Sequence, residues 1–176
     1  MRCAALLTPL MLAGLLACHR ATPPPSSGTP PDAVVTPEIE RLVLFFPGDD
    51  ALLHRESREI AGMPISAVSR VRVVVQEVLA GPRTELAPAA SWTATVGTVL
   101  IDPEGNAFVD LAAPPPDAVQ GSAGEIALVY AVVNSVVANC KGVARVQLLF
   151  DGQEVETFGH LNIGRPLAPR TDLVAP

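Results

Sequence analysis

Hydrophobic and polar positions follow two different periods after residue 37, which predicts a mixture of strands and helices. Residues 41–46, RLVLFF, are a compact apolar run that stops at Pro47-Gly48, and they predict a buried strand. Residues 51–60, ALLHRESREI, alternate charged and less polar positions, and they predict a second, more exposed strand. The folded part of the chain is therefore expected to begin with two strands.

Residues 66–82 favour a helix, although their many valines are typical of strands. Ser66 is placed to cap the start of this helix, and Gly81-Pro82 to end it. The apolar positions recur at i, i+3, i+7, i+10 and i+11, which is the spacing of one helix face. They are Val68, Val71, Val75, Val78 and Leu79.

The middle of the chain repeats this order of two strands and a helix. Residues 95–116 predict a strand, a turn from Asp102 to Asn106, and a second strand that ends at Leu111. Residues 121–139 predict a second helix, because Ile126 and the apolar positions after it continue at helical spacing. Ser122 and Glu125 have the separation of a capping box at its start.

The last predicted elements are two strands, at residues 143–150 and 153–158, joined by Asp151-Gly152. That residue pair favours a tight type I′ turn between antiparallel strands. The complete order ββαββαββ predicts an α+β fold of two layers. In this fold two helices pack on one face of a small, mainly antiparallel sheet.

The first residues of the chain have the layout of a secretory signal peptide. Arg2 precedes an apolar stretch that is too short to cross a bilayer as a helix. The stretch ends in LLAC, which resembles the lipobox of bacterial lipoproteins, so we expect lipidation of Cys18 after cleavage at Ala17. An ordinary signal peptide with an incidental cysteine is the alternative.

Composition then sets the predicted boundaries and excludes some partners. We expect a signal peptide at 1–17, a Pro/Ser/Thr-rich tether that starts at the lipidated Cys18 over 18–37, a domain at 38–170 and a tail at 171–176. The net charge of −6 comes without any basic run, which argues against nucleic acid as a partner. Within the expected mature domain, Cys140 is the single cysteine, and we expect it to be buried.

Several strings, in this order, resemble the GerMN domain, a family named for a sporulation and germination protein. The resemblance runs from about Leu42 to Leu167, and its most specific pieces are the FVDL strand, the helix that ends at Asn139 and the VQLLFDG hairpin. The matching strings are LVLFFPGDD, LAGP, VLIDPEGNAFVDL, GSAGEIALVYAVVNSV and GVARVQLLFDGQEVETFGH. The resemblance implies an exported, often lipidated envelope protein and a fold similar to ring-building modules of sporulation and secretion channels. It implies no catalytic residues and no cofactor.

His54 and Glu56 are a first candidate pair for metal or acid/base chemistry. They lie two positions apart on a predicted strand and would therefore share a face. The charges around them favour a solvated edge strand instead, where charges discourage pairing with other chains.

His160 with Glu154 or Glu156 is a second candidate site, at the end of the last hairpin. Alternation of Val155 with the two glutamates favours a hairpin with one wet face over a catalytic cluster. Asp110, at a strand end, is expected to cap or turn the chain rather than to catalyse. No cofactor motif of the P-loop or dinucleotide-binding type is present in the sequence.

Two functions remain once these candidate sites have been considered. The first is a lipid-anchored envelope protein that is not an enzyme, whose domain binds an envelope protein or scaffolds an assembly, with homo-oligomerisation as a further possibility. The second is an envelope hydrolase or carbohydrate- or peptidoglycan-processing enzyme that uses His160 with Glu154 or Glu156. The sequence favours the first, with the domain facing the periplasm or the cell exterior.

Overall fold

The structure, a computed structural model, describes residues 37–116, 118 and 121–176. The predicted signal peptide, Cys18 and the tether up to residue 36 lie outside the described residues. The elements are β1 (Ile39–Pro47), β2 (Leu53–Ala61), α1 (Ala67–Leu79), β3 (Val96–Ile101), β4 (Asn106–Leu111), α2 (Ser122–Asn139), β5 (Arg145–Phe150), β6 (Gln153–Glu154), β7 (Thr157–Phe158), β8 (Leu161–Asn162) and a 3₁₀ turn (Thr171–Leu173). The predicted order of strands and helices is confirmed up to β5.

The strands form a two-stranded hairpin, a mixed four-stranded sheet and a small second hairpin. β1 and β2 pair antiparallel along their whole length, from Ile39 opposite Ala61 to Pro47 opposite Leu53. The four-stranded sheet has the order β3-β4-β5-β6, in which β4 and β5 run parallel and the other pairs antiparallel. A parallel pair needs a long crossover connection, and the segment that contains α2 supplies it. The predicted two-layer α+β class is confirmed.

α1 is a helix, as its apolar stripe predicted. Its buried residues are Val71, Val74, Val75 and Val78. The Ser66 side chain accepts a hydrogen bond from the Ser69 backbone N–H at 3.5 Å and so caps the helix. Val68, which the stripe included, instead lies at the solvent-facing start of the helix and is 36% exposed.

α2 is the central helix of the domain and packs against α1, β1 and β5. Every residue from Leu128 to Val136 is buried. By length and composition α2 is apolar enough to cross a membrane, but 56% of it is buried inside the domain. Its apolar character is therefore explained by packing on several sides rather than on one stripe.

Polar side chains of α2 complete the edge of β1 that faces away from β2. Asn139 accepts a hydrogen bond from the Val43 N–H through Oδ1 at 2.9 Å and donates to the Val43 carbonyl through Nδ2 at 2.7 Å. The Ser135 hydroxyl accepts from the Phe45 N–H at 3.0 Å. Elsewhere on α2, Asn134 Nδ2 donates to the Arg170 carbonyl at 3.1 Å and Asn134 Oδ1 accepts from the Arg170 N–H at 2.9 Å. Asn139 and Ser135 thus supply partners to backbone groups of β1 that no strand pairs on this edge.

The turn between β5 and β6 has the predicted conformation. Asp151 and Gly152 both have positive φ, at 50° and 74°, as a type I′ turn requires. The predicted strand at 153–158 is divided, because the chain leaves β5 after Glu154 and the Glu156 carbonyl accepts from the Ile163 N–H. This path places the Phe158 ring against Phe150, with 5.0 Å between centroids.

Candidate functional site

His54 and Glu56 lie on one face of β2, as predicted, but their side chains have separate partners. His54 Nε2 lies 3.0 Å from Asp50 Oδ1. Glu56 binds Arg58, two positions further along the strand. The prediction that this strand is a solvated edge is wrong for this face, because Glu56 is only 6% exposed and Arg58 only 3%. The two charges neutralise each other, and that permits their burial.

The Glu56 carboxylate is saturated with hydrogen-bond donors. Oε1 accepts from Arg58 Nε at 2.8 Å and from Nη2 at 2.7 Å. Oε2 accepts from the Arg83 N–H at 2.9 Å, the Thr84 N–H at 3.1 Å and the Thr84 hydroxyl at 2.8 Å. Five donors leave this carboxylate no free lone pair to aim at a metal or a substrate.

Arg58 connects the same cluster to the C-terminal end of α1. Its Nη1 donates to the Glu77 carbonyl at 2.9 Å and to Glu77 Oε2 at 2.8 Å. Its guanidinium carbon lies 5.2 Å from the centroid of the Phe46 ring. Burial by itself raises the pKa of Glu56, but the hydrogen bonds from Thr84 and Arg58 outweigh it, so this pKa lies below its ordinary value. The cluster therefore holds β2 to α1.

His160 contacts a different carboxylate from the two that the sequence suggested. Its backbone N–H donates to Glu125 Oε2 at 2.8 Å, and its ring Nδ1 lies 3.5 Å from Oε1. Glu154 and Glu156 are exposed, and among the described residues neither forms an ion pair or hydrogen bond with His160. The exposure of Glu154 and Glu156 agrees with the solvent-facing side predicted for the hairpin. The alternative cluster of these glutamates around His160 does not form.

Glu125 was predicted to close a capping box with Ser122, and that prediction is wrong. Gly121 precedes the helix with no side-chain cap, and Ser122 is already the first helical residue. Glu125 is 2% exposed and turns inward to the turn between β7 and β8. The first turn of a helix favours a carboxylate there, and the His160 N–H supplies its partner.

Cys140 and Asp110 have the structural roles that the sequence indicated. Cys140 is 2% exposed, and burial raises the pKa of its thiol to about 11, so it stays protonated at neutral pH. Asp110 Oδ1 accepts from the Gly152 N–H at 2.7 Å and so fixes the β5–β6 turn. Within residues 37–116, 118 and 121–176, no group of three or more His, Cys, Asp or Glu side chains could hold a metal ion.

A largely apolar cavity of about 890 Å³ lies between the β1–β2 turn and the start of α2. Its walls include Trp92 and Phe158, whose ring centroids are 6.3 Å apart. Trp92 Nε1 is buried and has no hydrogen-bond acceptor among the described residues. A buried donor without a partner costs about 1–3 kcal/mol, so this unpaired nitrogen is an unusual feature of the domain.

Sequence reasoning missed this cavity for a physical reason. Its lining comes from six separate segments and consists mostly of alanine, glycine and proline, which form no recognisable motif. Trp92 was the available signal, since it is the single tryptophan of the chain and lies outside every strand and helix.

Comparison with known proteins points to one family. The sequence model of the Germane family, described as sporulation and spore germination, matches residues 43–156. Among curated proteins, no match was found.

Two solved structures share the fold at low sequence identity. A protein from Clostridium perfringens described as a candidate lipoprotein is 20% identical, with a TM-score of 0.51, over 74% of this chain and 87% of that one. The tandem GerMN domains of the sporulation protein GerM from Bacillus subtilis are 15% identical, with a TM-score of 0.52. That match covers 78% of this chain and 46% of the tandem protein.

Proposed function

Because the chain belongs to the Germane family of sporulation and spore germination, we propose that it is an exported envelope lipoprotein with a non-catalytic interaction domain. Cys18 would carry the lipid, and the tether would hold the domain in the periplasm or outside the cell. The lipobox-like LLAC and the Pro-rich segment after it support this anchor. The C. perfringens protein of similar fold is also described as a candidate lipoprotein.

The observation that carries the non-catalytic part is the use of the candidate side chains in folding. Glu56 is saturated by five donors, and His160 is attached through its backbone to a buried glutamate. An acid/base site needs titratable groups that converge on a concave surface and still have lone pairs or protons that no other hydrogen bond uses. The alternative, an envelope hydrolase or peptidoglycan-processing enzyme using His160 with Glu154 or Glu156, has no such convergence to support it.

The outer edge of the four-stranded sheet is the surface that we propose for protein contact. β3 is the longer of the two edge strands in the order β3-β4-β5-β6, and its sequence VGTVLI contains no charge. Leu100 on this strand is 61% exposed, opposite the half-buried Phe108 of β4. An uncharged edge strand with an exposed apolar side chain is suited to adding a strand from a partner.

Mass spectrometry of the mature N-terminus tests the anchor. We expect a chain that begins at Cys18 and carries acyl groups, and a Cys18→Ser variant that leaves the membrane fraction. An unmodified Cys18 would contradict the lipoprotein assignment while leaving the domain assignment intact.

Site-specific photocrosslinking in cells tests the interaction surface. A crosslinker at Leu100 should capture one defined protein, whereas the same crosslinker at exposed Ser57 on β2 should not. Capture of a second copy of this chain would specify homo-oligomerisation as the form of the interaction. Turnover of peptidoglycan fragments that His160→Ala abolishes would contradict the non-catalytic proposal.

A further inference from the structure

The loop between β2 and α1 carries apolar side chains that the domain does not cover. Residues 61–69, AGMPISAVS, contain no ionisable side chain. Ile65 is 100% exposed, and Val68, three residues further on, is 36% exposed. Ile39 is 63% exposed, and it pairs across the hairpin with Ala61, where the loop begins. Three of the four large apolar side chains that the described residues expose thus lie at one end of the domain, which we call the apolar end (Ile39, Ile65 and Val68).

Packing within the domain does not explain Ile65. Ser66 is the N-cap of α1, and an apolar residue just before an N-cap normally packs against the fourth residue of the helix. That residue is Arg70, whose guanidinium forms an ion pair with Glu40 instead. Ile65 therefore has no apolar partner in the domain, and its side chain is free to contact something outside it.

The preceding chain enters the domain at this same end. The Glu38 carbonyl accepts a hydrogen bond from the Gly62 N–H at 2.9 Å, so the entering chain runs beside the loop. The segment from the expected lipidated Cys18 to residue 36 can span at most about 65 Å. A bilayer that holds Cys18 is therefore kept close to the apolar end, and the covalent link makes even a weak contact with it effective.

We propose that the apolar end docks on the bilayer that holds the lipid anchor, with Ile65 inserted at the boundary between headgroups and acyl chains. This inference rests on the proposed lipidation of Cys18. Proteins that lie on a membrane bury apolar side chains at this boundary. Because residues 61–69 have no charge, insertion removes no ionised group of the loop from water, which would be costly.

The backbone of the loop fits a lipid surface better than it fits a partner strand. Pro64 has no N–H, and its carbonyl accepts from Arg70 Nη1 at 3.4 Å. The Ser66 carbonyl accepts from the Arg70 N–H at 2.9 Å, and the Ser66 hydroxyl accepts from the Ser69 N–H. A partner that added a strand would need free backbone groups here. A lipid surface needs only the apolar side chains.

The isoleucines of the chain can report on docking without a foreign probe. The chain from Cys18 onward, with isotopically labelled isoleucine methyl groups, would be coupled through Cys18 to a maleimide lipid in nanodiscs of phosphatidylethanolamine and phosphatidylglycerol. Cys140 does not compete, because it is buried and the pKa of its thiol is raised to about 11. Nitroxide-labelled lipids in the nanodisc then enhance the nuclear relaxation of methyl groups that lie near the bilayer.

We expect the strongest enhancement at Ile65 and Ile39. The enhancement at Ile126 should be at least about fivefold smaller, because Ile126 lies about 20 Å along α2 from Asn139, which binds the first half of β1. Equal enhancement at Ile65 and Ile126 would overturn the docking surface.

Variants separate insertion of Ile65 from simple proximity through the tether. Ile65→Ser should lower the enhancement at Ile39 about tenfold, because the inserted apolar area is lost. Ile65→Leu, which keeps that area, should retain the enhancement. Leu100→Ser, at the exposed apolar position of β3, should leave it unchanged. An Ile65→Ser variant with the enhancement of the parent would contradict the proposal.

Two further measurements identify what else could be at fault. Shifts of the Ile65 methyl signal with rising protein concentration, without lipid, would identify a second copy as the occupant and would overturn docking on a bilayer. Mass spectrometry of Cys18 from cells tests the anchor separately, since the maleimide link does not depend on acylation in the cell. An unmodified Cys18 would contradict the anchor, whereas the nanodisc result decides the docking surface.

Discussion

The two helices are attached to the first hairpin by different chemistry. α1 is joined to β2 by ions, through the guanidinium of Arg58 between Glu56 and Glu77. α2 is joined to β1 by neutral groups, through the hydroxyl of Ser135 and the amide of Asn139. Both attachments are largely buried, so both depend on complete hydrogen bonding.

The difference lies in how each attachment fails. When one partner of a buried ion pair is removed, the other is left as an uncompensated charge, and the loss is large. When a neutral partner is removed, the remaining backbone groups lose hydrogen bonds but carry no net charge, and the loss is smaller. The ionic attachment should also depend on pH, whereas the neutral one should not.

The largest effect is expected for Arg58→Met. This substitution leaves the Glu56 carboxylate buried without its cation and should lower the free energy of unfolding by about 3–5 kcal/mol. Urea denaturation measures the loss. Arg41→Met is the matched control, because Arg41 pairs with Glu59 at the surface and should change stability by less than about 0.5 kcal/mol. Adding Glu56→Gln to Arg58→Met should recover part of the loss. Equal losses for Arg58→Met and Arg41→Met would contradict the ionic attachment.

A smaller effect is expected for Asn139→Leu. The Val43 N–H and carbonyl both lose their partner, which should lower the free energy of unfolding by about 2–3 kcal/mol. Ala138→Leu, one residue earlier and exposed, should be close to neutral in the same urea titration. A loss as large as that of Arg58→Met would remove the distinction between the two attachments.

The pH dependence of stability should separate them further. The folded-state pKa of Glu56 lies below its ordinary value of 4.5. The stability that the ionised Glu56 carboxylate contributes is therefore fully present above pH 4.5 and is lost as the pH falls through the folded pKa. The double variant Glu56→Gln/Arg58→Met should lose less stability than the parent between neutral and acidic pH. The destabilisation by Ser135→Ala should be the same at both pH values, and a pH-dependent result there would be contrary to expectation.

The smallest effect concerns the first residues of the helices. Ser66→Ala removes a cap on α1 and should lower stability by about 0.5–1 kcal/mol, since the hydrogen bond is long at 3.5 Å. Ser122→Ala should have almost no effect, because Ser122 is inside α2 and makes no cap bond. Thermal melts of both variants measure the difference. Equal losses would indicate that Ser122 caps α2, as the capping box predicted from the sequence requires.

The sequence predicted those elements that are determined by residues close together in the chain. The stripe of Val71, Val75 and Val78 and the flanking Ser66 identified α1 despite its strand-favouring composition. Asp151-Gly152 predicted its turn because two consecutive positive φ angles are available to few residue pairs.

Long-range contacts decided what the sequence did not predict. Glu56 and Arg58 look like a solvated strand until the loop at Arg83 and Thr84 folds over them and supplies donors. Glu125 has the spacing of a cap, but a turn 35 residues further along the chain offers it a buried partner. The cavity depends on distant segments of small side chains, which have no periodicity of their own.

The hydrogen bonds from α2 to β1 have a further consequence for how copies of the domain meet. A two-stranded hairpin normally exposes two edges, and each edge can template strand exchange or fibril growth. Asn139 and Ser135 occupy the backbone groups of Val43 and Phe45 that a foreign strand would need. A helix thus takes the place of a third strand, and the centre of the β1 edge is closed to aggregation as long as α2 stays folded.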